Sequence, residues 1–252
     1  MTKCTRSVDP LDVMRKSLRF DLIFKVELAD AWLHGDRESV SRAEEAYLES
    51  IRARNGFWQH HPPKADPETY IKVFRQTLDS ISACGYDEDA PPIPVDGHGE
   101  LLGGAHRLSS CIACGCPCRI VQLPKFSTGG SMFAAFRRGK IAKAVANWGM
   151  RAYLRRFPDG RLASEFAKRV GPDEPFPDWT LRVRELRFDS WLWRVRERCF
   201  LLKAALRTGA RRAKSLRNAD ECRHRAAAPL LLARYLEKMK SGSTVERERQ
   251  NG

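Results

Sequence analysis

Long apolar runs are missing from this sequence. No stretch approaches the ~20 consecutive apolar residues that a helix needs to cross a bilayer. Met1-Thr2-Lys3-Cys4 runs on into Asp9, Asp12, Arg15 and Lys16 without the apolar core of a secretory signal. The expected setting is therefore the cytosol. The 17 Gly and 14 Pro follow no repeating triplet, which excludes a collagen-like chain, and a hydrophobic content of 42% excludes a wholly disordered one. No internal repeat is found. What remains in 252 residues is one large domain, or a domain with an appendage.

Acidic residues are scarce only in the second half. Residues 1–123 hold 15 Lys+Arg and 18 Asp+Glu, a net of −3, whereas residues 124–252 hold 30 and 13, a net of +17. Such a split suggests a near-neutral module followed by a segment that meets an anionic partner: nucleic acid, lipid head groups or acidic glycan. A solvated, Arg-rich helical tail is the plain alternative.

Eight cysteines without a signal peptide read as reduced thiols and not as a disulfide frame. Four crowd into Cys111-Ile-Ala-Cys114-Gly-Cys116-Pro-Cys118. A zinc or iron–sulfur site usually draws two pairs from separated turns. Here Cys116 and Cys118 have strand spacing and Cys111 and Cys114 helical spacing. Small buried side chains are the preferred reading, and no metal site is assigned.

Punctuation and periodicity outline the elements. Residues 1–10 read as a loose tail. Phe20, Phe24, Leu28, Ala31 and Trp32 recur at helical intervals up to Gly35, although Phe20, Leu22, Phe24 and Val26 also alternate as a strand would. Ser39 to Arg54 predicts a helix stopped by Asn55-Gly56, and the prolines after His60-His61 predict a loop. Asp66 as cap, Pro67 at the first position and Glu68 in the first turn open another helix, ended by Gly85. Pro92–Val95 predicts a strand, Asp96-Gly97-His98-Gly99 a tight turn, and Glu100-Leu101-Leu102 the return strand. Gly103-Gly104-Ala105-His106-Arg107 opens a helix to about Ala113, broken by Gly115, and Cys118–Leu123 predicts a further strand. Ser127–Gly130 reads as a linker, 132–156 as a basic helical stretch, Phe157–Gly160 as a turn and Gly171–Pro177 as a Pro-rich break. Residues 188–215 and 220–240 predict two more helices, with fraying from Ser241.

The strand–turn–strand unit feeding Gly103–Arg107 is where chemistry concentrates. A helix N-terminus offers unpaired N–H groups and a positive dipole end to an anion. Two glycines let a phosphate approach the backbone, and His106 and Arg107 add donors, Arg in bidentate fashion. A Gly-Gly turn that merely packs a helix on a sheet, with Arg107 pairing a carboxylate, fits the same residue types.

Leu102-Gly-Gly-Ala-His-Arg107, preceded by a hairpin and an amphipathic helix, resembles the nucleotide-binding core of the sulfiredoxin/ParB-like superfamily over roughly residues 64–123. Sulfiredoxins carry Gly-Gly-Cys-His-Arg at this place, free-serine kinases Gly-His-His-Arg, and ParB proteins a Gly-Glu-Arg-Arg type. The resemblance implies that Gly103, Gly104, Ala105, His106 and Arg107 hold the phosphates of ATP or CTP. It also implies contacts from the preceding helix, for which Ser80, in Asp79-Ser80-Ile81, and less cleanly Lys72 are candidates. A solvent-facing position is the alternative for both. Ala105 stands where sulfiredoxins have cysteine, so thiosulfinate chemistry is excluded, and Cys111 lies nearly two turns too far along. The His-Arg version groups with phosphate-transferring relatives.

A kinase needs ATP with Mg2+ and a group that orients or deprotonates the acceptor hydroxyl. Asp96 and Glu100, flanking the hairpin, are candidate catalytic carboxylates alongside His106. Asp96 is equally a turn former and Glu100 a strand-end charge. Lys25, Lys64 and His60-His61 are candidates for the acceptor side, with exposed surface as the favoured reading. In the basic half, Trp191, Trp193, Phe200, Leu201, Leu202 and Leu206 lie among many Arg and Lys. They fit an interfacial helix on anionic lipid, or a helix whose apolar face packs while its arginines stay wet, the favoured reading. A helix-turn-helix over Lys140–Arg156, with Gly149 as turn glycine and Val145 and Leu154 buried, fits poorly because Trp148 and Met150 crowd the turn.

The expected fold is α+β: a small mixed sheet with helices of the ParB/sulfiredoxin-like kind over residues 1–124, then a basic, mainly helical region over 125–252. The expected function is ATP-dependent phosphoryl transfer to a hydroxyl of a small molecule or glycan, with peripheral contact to an anionic membrane at its inner face. A ParB-like, nucleotide-gated DNA-binding protein and a catalytically inactive scaffold are the alternatives, nucleic acid being the less favoured partner.

Overall fold

The structure, a computed structural model, describes residues 5–57, 59, 66–124, 136, 141–173, 175–176, 179–206 and 209–250, with the backbone alone for 179–181 and 242–250. His60, His61, Lys64, the 127–130 linker and most of 131–140 lie outside the described residues. The fold is α+β, mostly helical, with one three-stranded mixed sheet in the order β1-β3-β2.

Strand β1 (Thr5–Val8) and helix α1 (Pro10–Lys16) replace the loose tail expected at the N-terminus. Asp9 caps α1, its Oδ1 accepting the Leu11 N–H at 2.9 Å, with Pro10 at the first helical position. β1 pairs antiparallel with β3 (Cys118–Gln122), Thr5 facing Val121 and Val8 facing Cys118. β2 (Ile93–Val95) joins the other edge of β3 in parallel, Ile93 opposite Ile120. A parallel pair needs a crossover, and helix α5 (Ala105–Cys114) provides it. The predicted return strand at Glu100–Leu102 reduces to a single bridge, Val95 to Leu101, with the Leu102 N–H donating to Pro94 O at 2.9 Å.

The other helices are α2 (Asp21–His34), α3 (Arg37–Asn55), α4 (Pro67–Cys84), α6 (Lys143–Arg156), α7 (Ala163–Ala167), α8 (Trp179–Ala205) and α9 (Gly209–Gln250). Asp66 caps α4 as expected, with the Thr69 N–H on its Oδ1 at 2.7 Å. The helical alternative holds for Phe20–Trp32. α2 is buried on nearly every side, with Leu22, Ile23, Phe24, Val26 and Leu28 wholly covered, which is why its apolar pattern blurs between two periods.

The chain divides into two compact units: residues 1–50 with 71–176, and residues 51–70 with 177–252. The expected boundary at 124/125 is therefore displaced. In the first unit α6 and α7 belong to the core built on α2: Phe20 meets Phe136 at 5.2 Å and Phe166 at 4.9 Å between ring centres, and Phe24 stacks on Trp148 at 6.1 Å. Gly149 lies in the middle of α6, not at a turn. A Cβ there would come within 2.6 Å of Phe24 Cζ, so the glycine lets α6 lie close against α2.

In the second unit α8 and α9 form an antiparallel hairpin, with pairs Arg187–Glu237, Ser190–Ala226 and Glu197–Arg223 running in opposite directions. α8 ends at Ala205 and α9 begins at Gly209, so the expected helix 188–215 is divided, and the expected helix 220–240 lengthens into α9, which continues through Ser241-Gly242-Ser243. Arg225 ends the C-terminal stretch of α3. Its guanidinium donates to the carbonyls of Ala53 at 3.3 Å and Arg54 at 3.4 Å, in the last turn, where a helix runs out of N–H groups of its own.

Candidate functional site

The Gly103–Arg107 segment sits where the β2 turn delivers the chain to α5. Gly104 is the N-cap in the left-handed region (φ 73°, ψ 29°), a conformation that glycine adopts without a Cβ penalty. Gly104 has no side chain with which to cap α5, so the first N–H groups of the helix receive no bond from their N-cap residue. Gly103 passes against Pro94, where a Cβ would lie 3.2 Å from Cγ.

Arg107 folds back over this opening. Its Nη1 donates to the Tyr86 hydroxyl at 2.9 Å and to the Pro91 carbonyl, which Tyr86 also bonds at 2.8 Å. Its Nη2 lies 3.2 Å from where a Gly104 Cβ would stand. One edge of the guanidinium is thus anchored to the 86–91 loop while the other overlies the helix mouth. Burial raises the Tyr86 pKa, with Arg107 opposing, so the phenol stays neutral near pH 7 and accepts from the guanidinium.

His106 turns the other way. Its ring stacks on Phe74 of α4, 4.5 Å between centres and 14° between planes, and Nε2 shares a hydrogen bond of 2.9 Å with the Tyr47 hydroxyl of α3. Beneath Tyr47 lies a buried charge cluster. Lys25, 2% exposed, donates to Asp21 Oδ2 at 2.7 Å and sits 5.6 Å from the centre of the Tyr47 ring. Arg19 clamps the same Asp21 through two bonds of 3.1 and 2.8 Å. Burial works against the Arg19 charge, but Asp21, helped by Glu100, more than offsets it and its pKa rises. Lys25 is therefore not the exposed residue expected. Asp21, one helical turn earlier, supplies the carboxylate that makes its burial tolerable.

The two candidate carboxylates are buried in backbone hydrogen bonds. Asp96, 2% exposed, accepts the N–H groups of His98 at 2.8 Å and Glu100 at 2.9 Å on Oδ1 and so closes the turn. Glu100 accepts the Leu18 N–H at 3.2 Å and lies 3.8 Å from Arg161. Neither is arranged as a metal ligand. Among the described residues no group of three or more His, Cys, Asp or Glu side chains could hold a metal ion. Lys72 and Ser80 are exposed on α4 and do not share the face of Phe74 through which this helix meets His106.

The thiols gather at the other end of α5. Gly115, at φ 65°, donates its N–H to Ile112 O, and Cys116 N–H donates to Cys111 O at 3.1 Å. These two bonds make a Schellman termination that sets Cys116 beside Cys111. A cleft of about 410 Å³, lined by Asp9, Pro10, Cys111, Gly115, Cys116 and Pro117 among others, opens here. Burial first, then the neighbouring thiols, pushes Cys111 far above the ordinary thiol value, and burial with Cys116 and Asp9 pushes Cys118 up to about 11. The carbonyls at this helix end disfavour an anion, and the protonated thiols add no positive charge to offset them.

Tyr47, Phe74 and Tyr86, which set the positions of His106 and Arg107, were not among the candidate site residues, since Tyr47 and Phe74 read from the sequence only as members of their helices' apolar faces. The i, i+4 spacing of Asp21 and Lys25 inside an otherwise apolar run is the one sequence signal that marks the cluster beneath them.

A scan against protein-family models finds no match to this chain, and comparisons with curated proteins and with solved structures find none either.

Proposed function

We propose that this chain is a nucleotide-binding protein of the ParB/sulfiredoxin-like kind that transfers a phosphoryl group from ATP, supplied with Mg2+, to a hydroxyl of a small molecule or glycan. The observation that carries the reading is the Arg107 guanidinium held over Gly104 at the uncapped start of α5. Backbone N–H groups, a positive helix end and a pre-anchored guanidinium together make a phosphate cradle whose donors are fixed before the ligand arrives. The residues fit a triphosphate. They do not supply a Mg2+ site of their own, so any metal enters as part of the nucleotide substrate and no step is assigned to it.

In this reading Gly104 and the N–H groups of Ala105, His106 and Arg107 hold phosphate oxygens, and the Arg107 Nη2 neutralises charge on them. His106 lends its backbone N–H to the cradle, while its imidazole, held on the other side by Phe74 and Tyr47, braces the start of α5. A second reading is favoured by the carboxylates: with Asp96 and Glu100 spent on backbone N–H groups, the protein binds a nucleotide without turning it over.

The test is a thermal-shift panel of ATP, CTP and GTP followed by incubation with radiolabelled ATP and Mg2+. Selective stabilisation that Arg107→Ala abolishes supports the cradle. Label passed to water or to an added polyol, and lost in Arg107→Ala, supports transfer, whereas stabilisation without release of label leaves the binding-only reading. No shift with any nucleotide removes both.

A further inference from the structure

Helix α8 carries two apolar stripes. One consists of Leu186, Ser190, Trp193, Phe200 and Ala204, spaced at three, four and seven residues. It turns inward, where Trp193 packs with Cys222 and Ala226 of α9 and Ser190 donates to the Ala226 carbonyl at 2.7 Å. That stripe is enough to hold the hairpin together. The second stripe is Phe188, Trp191, Val195, Leu202 and Leu206, with Cys199 in line. It recurs at the same helical period on a different face and faces solvent: Phe188 is 60% exposed, Trp191 56%, Leu202 66% and Leu206 86%. Phe188 and Trp191 stack on one another with 5.8 Å between ring centres. The stripe runs ~27 Å along the helix, far more than the scattered single exposures normal on a protein surface.

The charges beside the stripe decide what covers it. Arg187, Arg194 and Arg198 line one border and Arg196 and Lys203 the other, all exposed, against Glu185, the mostly covered Asp189 and Glu237 of α9, which pairs with Arg187 at 3.4 Å. A second copy docked on this face would bring arginines against arginines. Duplex nucleic acid would meet the arginines but leave five large apolar side chains without a role. A lipid surface with anionic head groups satisfies both, aromatic and leucine side chains entering the acyl boundary and guanidinium groups staying among phosphates. No helix among the described residues is long and apolar enough to cross a membrane, so the geometry is that of a helix lying on the surface. We propose that the outer face of α8 is a docking surface for anionic lipid bilayers.

Co-sedimentation of the full chain with vesicles tests this. The wild type is expected to pellet with vesicles containing phosphatidylglycerol and to stay in solution with phosphatidylcholine alone. Leu202→Glu and Leu206→Glu, both on exposed positions, should each weaken binding roughly tenfold or more with the circular dichroism unchanged. Arg194→Ala and Arg198→Ala should each weaken it about fivefold and reduce its salt sensitivity. Equal binding to neutral vesicles, or none to anionic ones, overturns the proposal. So does light scattering that shows a dimer broken by Leu206→Glu, or retention on DNA lost in the same variant, each of which gives the stripe to another partner.

Discussion

Gly104 concentrates two demands in one residue. Its φ of 73° lies in the region where an L side chain costs ~1–2 kcal/mol, and the space beside it is already taken by Arg107 Nη2. Gly104→Ala is expected to lower stability by about 1 kcal/mol in a denaturant melt and to push the guanidinium off the helix mouth, so that any nucleotide-induced rise in melting temperature shrinks. The thiols give a second prediction at this scale. Cys111 and Cys118 are buried and held protonated, whereas Cys84 and Cys199 are exposed. Iodoacetamide at about pH 8 should label Cys84 and Cys199 in the native protein and reach Cys111 and Cys118 only after unfolding. Because the folded-state value of Cys118 lies above its ordinary value of 9.0, at about 11, its contribution is fully present below pH 9. It is lost as the pH rises from about 9 through 11, where the unfolded thiol ionises and the folded one resists. A pH series of urea midpoints should fall in that window, and Cys118→Ser should blunt the fall.

At the scale of elements, the sequence was readable wherever a local signal and a local cause coincide. Asp66-Pro67 opens α4 and Gly115 closes α5 because capping needs only residues within a turn. β1 was illegible for the opposite reason. Thr5-Arg6-Ser7-Val8 shows no apolar alternation, and what makes it a strand is a partner, Val121 to Cys118, more than a hundred residues away. The candidate site divides in the same way: the Gly-Gly-Ala-His-Arg segment announces its helix start, but the side chains that aim His106 and Arg107 come from α3, α4 and the 86–91 loop, which only folding brings together. Gly149 shows how one signal carries two meanings. Within a stretch read as helical it could serve as a turn glycine only in the poorly fitting helix-turn-helix, and in place it is the contact point of α6 on α2, with Phe24 Cζ at 2.6 Å from a would-be Cβ. Gly149→Ala raises helix propensity by up to ~1 kcal/mol but forces Phe24 to move, at about 1–3 kcal/mol for an overpacked core. The net expectation is a lower melting temperature, measurable by calorimetry, despite the better helix former.

At the scale of the whole molecule, the positive charge that first looked like a single C-terminal half is shared between the two units. Residues 124–176, which hold 11 Lys+Arg and 4 Asp+Glu, belong to the first unit. Residues 177–252, with 19 and 9, belong to the second. The second unit is also not a detachable tail, because residues 51–70 are part of it. Within that unit Arg225 bonds carbonyls in the last turn of α3, a Cβ on Gly56 would lie 3.6 Å from Ala228 Cβ, and Phe57 is wholly buried at a φ of 60° against Tyr70. A chain ended at Phe176 keeps residues 51–70 but removes Arg225 and Ala228. It would leave Ala53 and Arg54 carbonyls without those donors and would expose apolar surface around Gly56. Two lost hydrogen bonds from a charged donor, at ~1.5–3 kcal/mol each, amount to at least about 3 kcal/mol, or roughly 6–12 °C in melting temperature for a chain of this size. A truncated chain that melts where the full chain does would show that residues 51–70 need nothing from the C-terminal hairpin. If it instead melts lower and binds a hydrophobic dye, the hairpin is part of what keeps the end of α3 folded, and the exposed apolar face of α8 is tied covalently and energetically to the segment that joins α3 to α4.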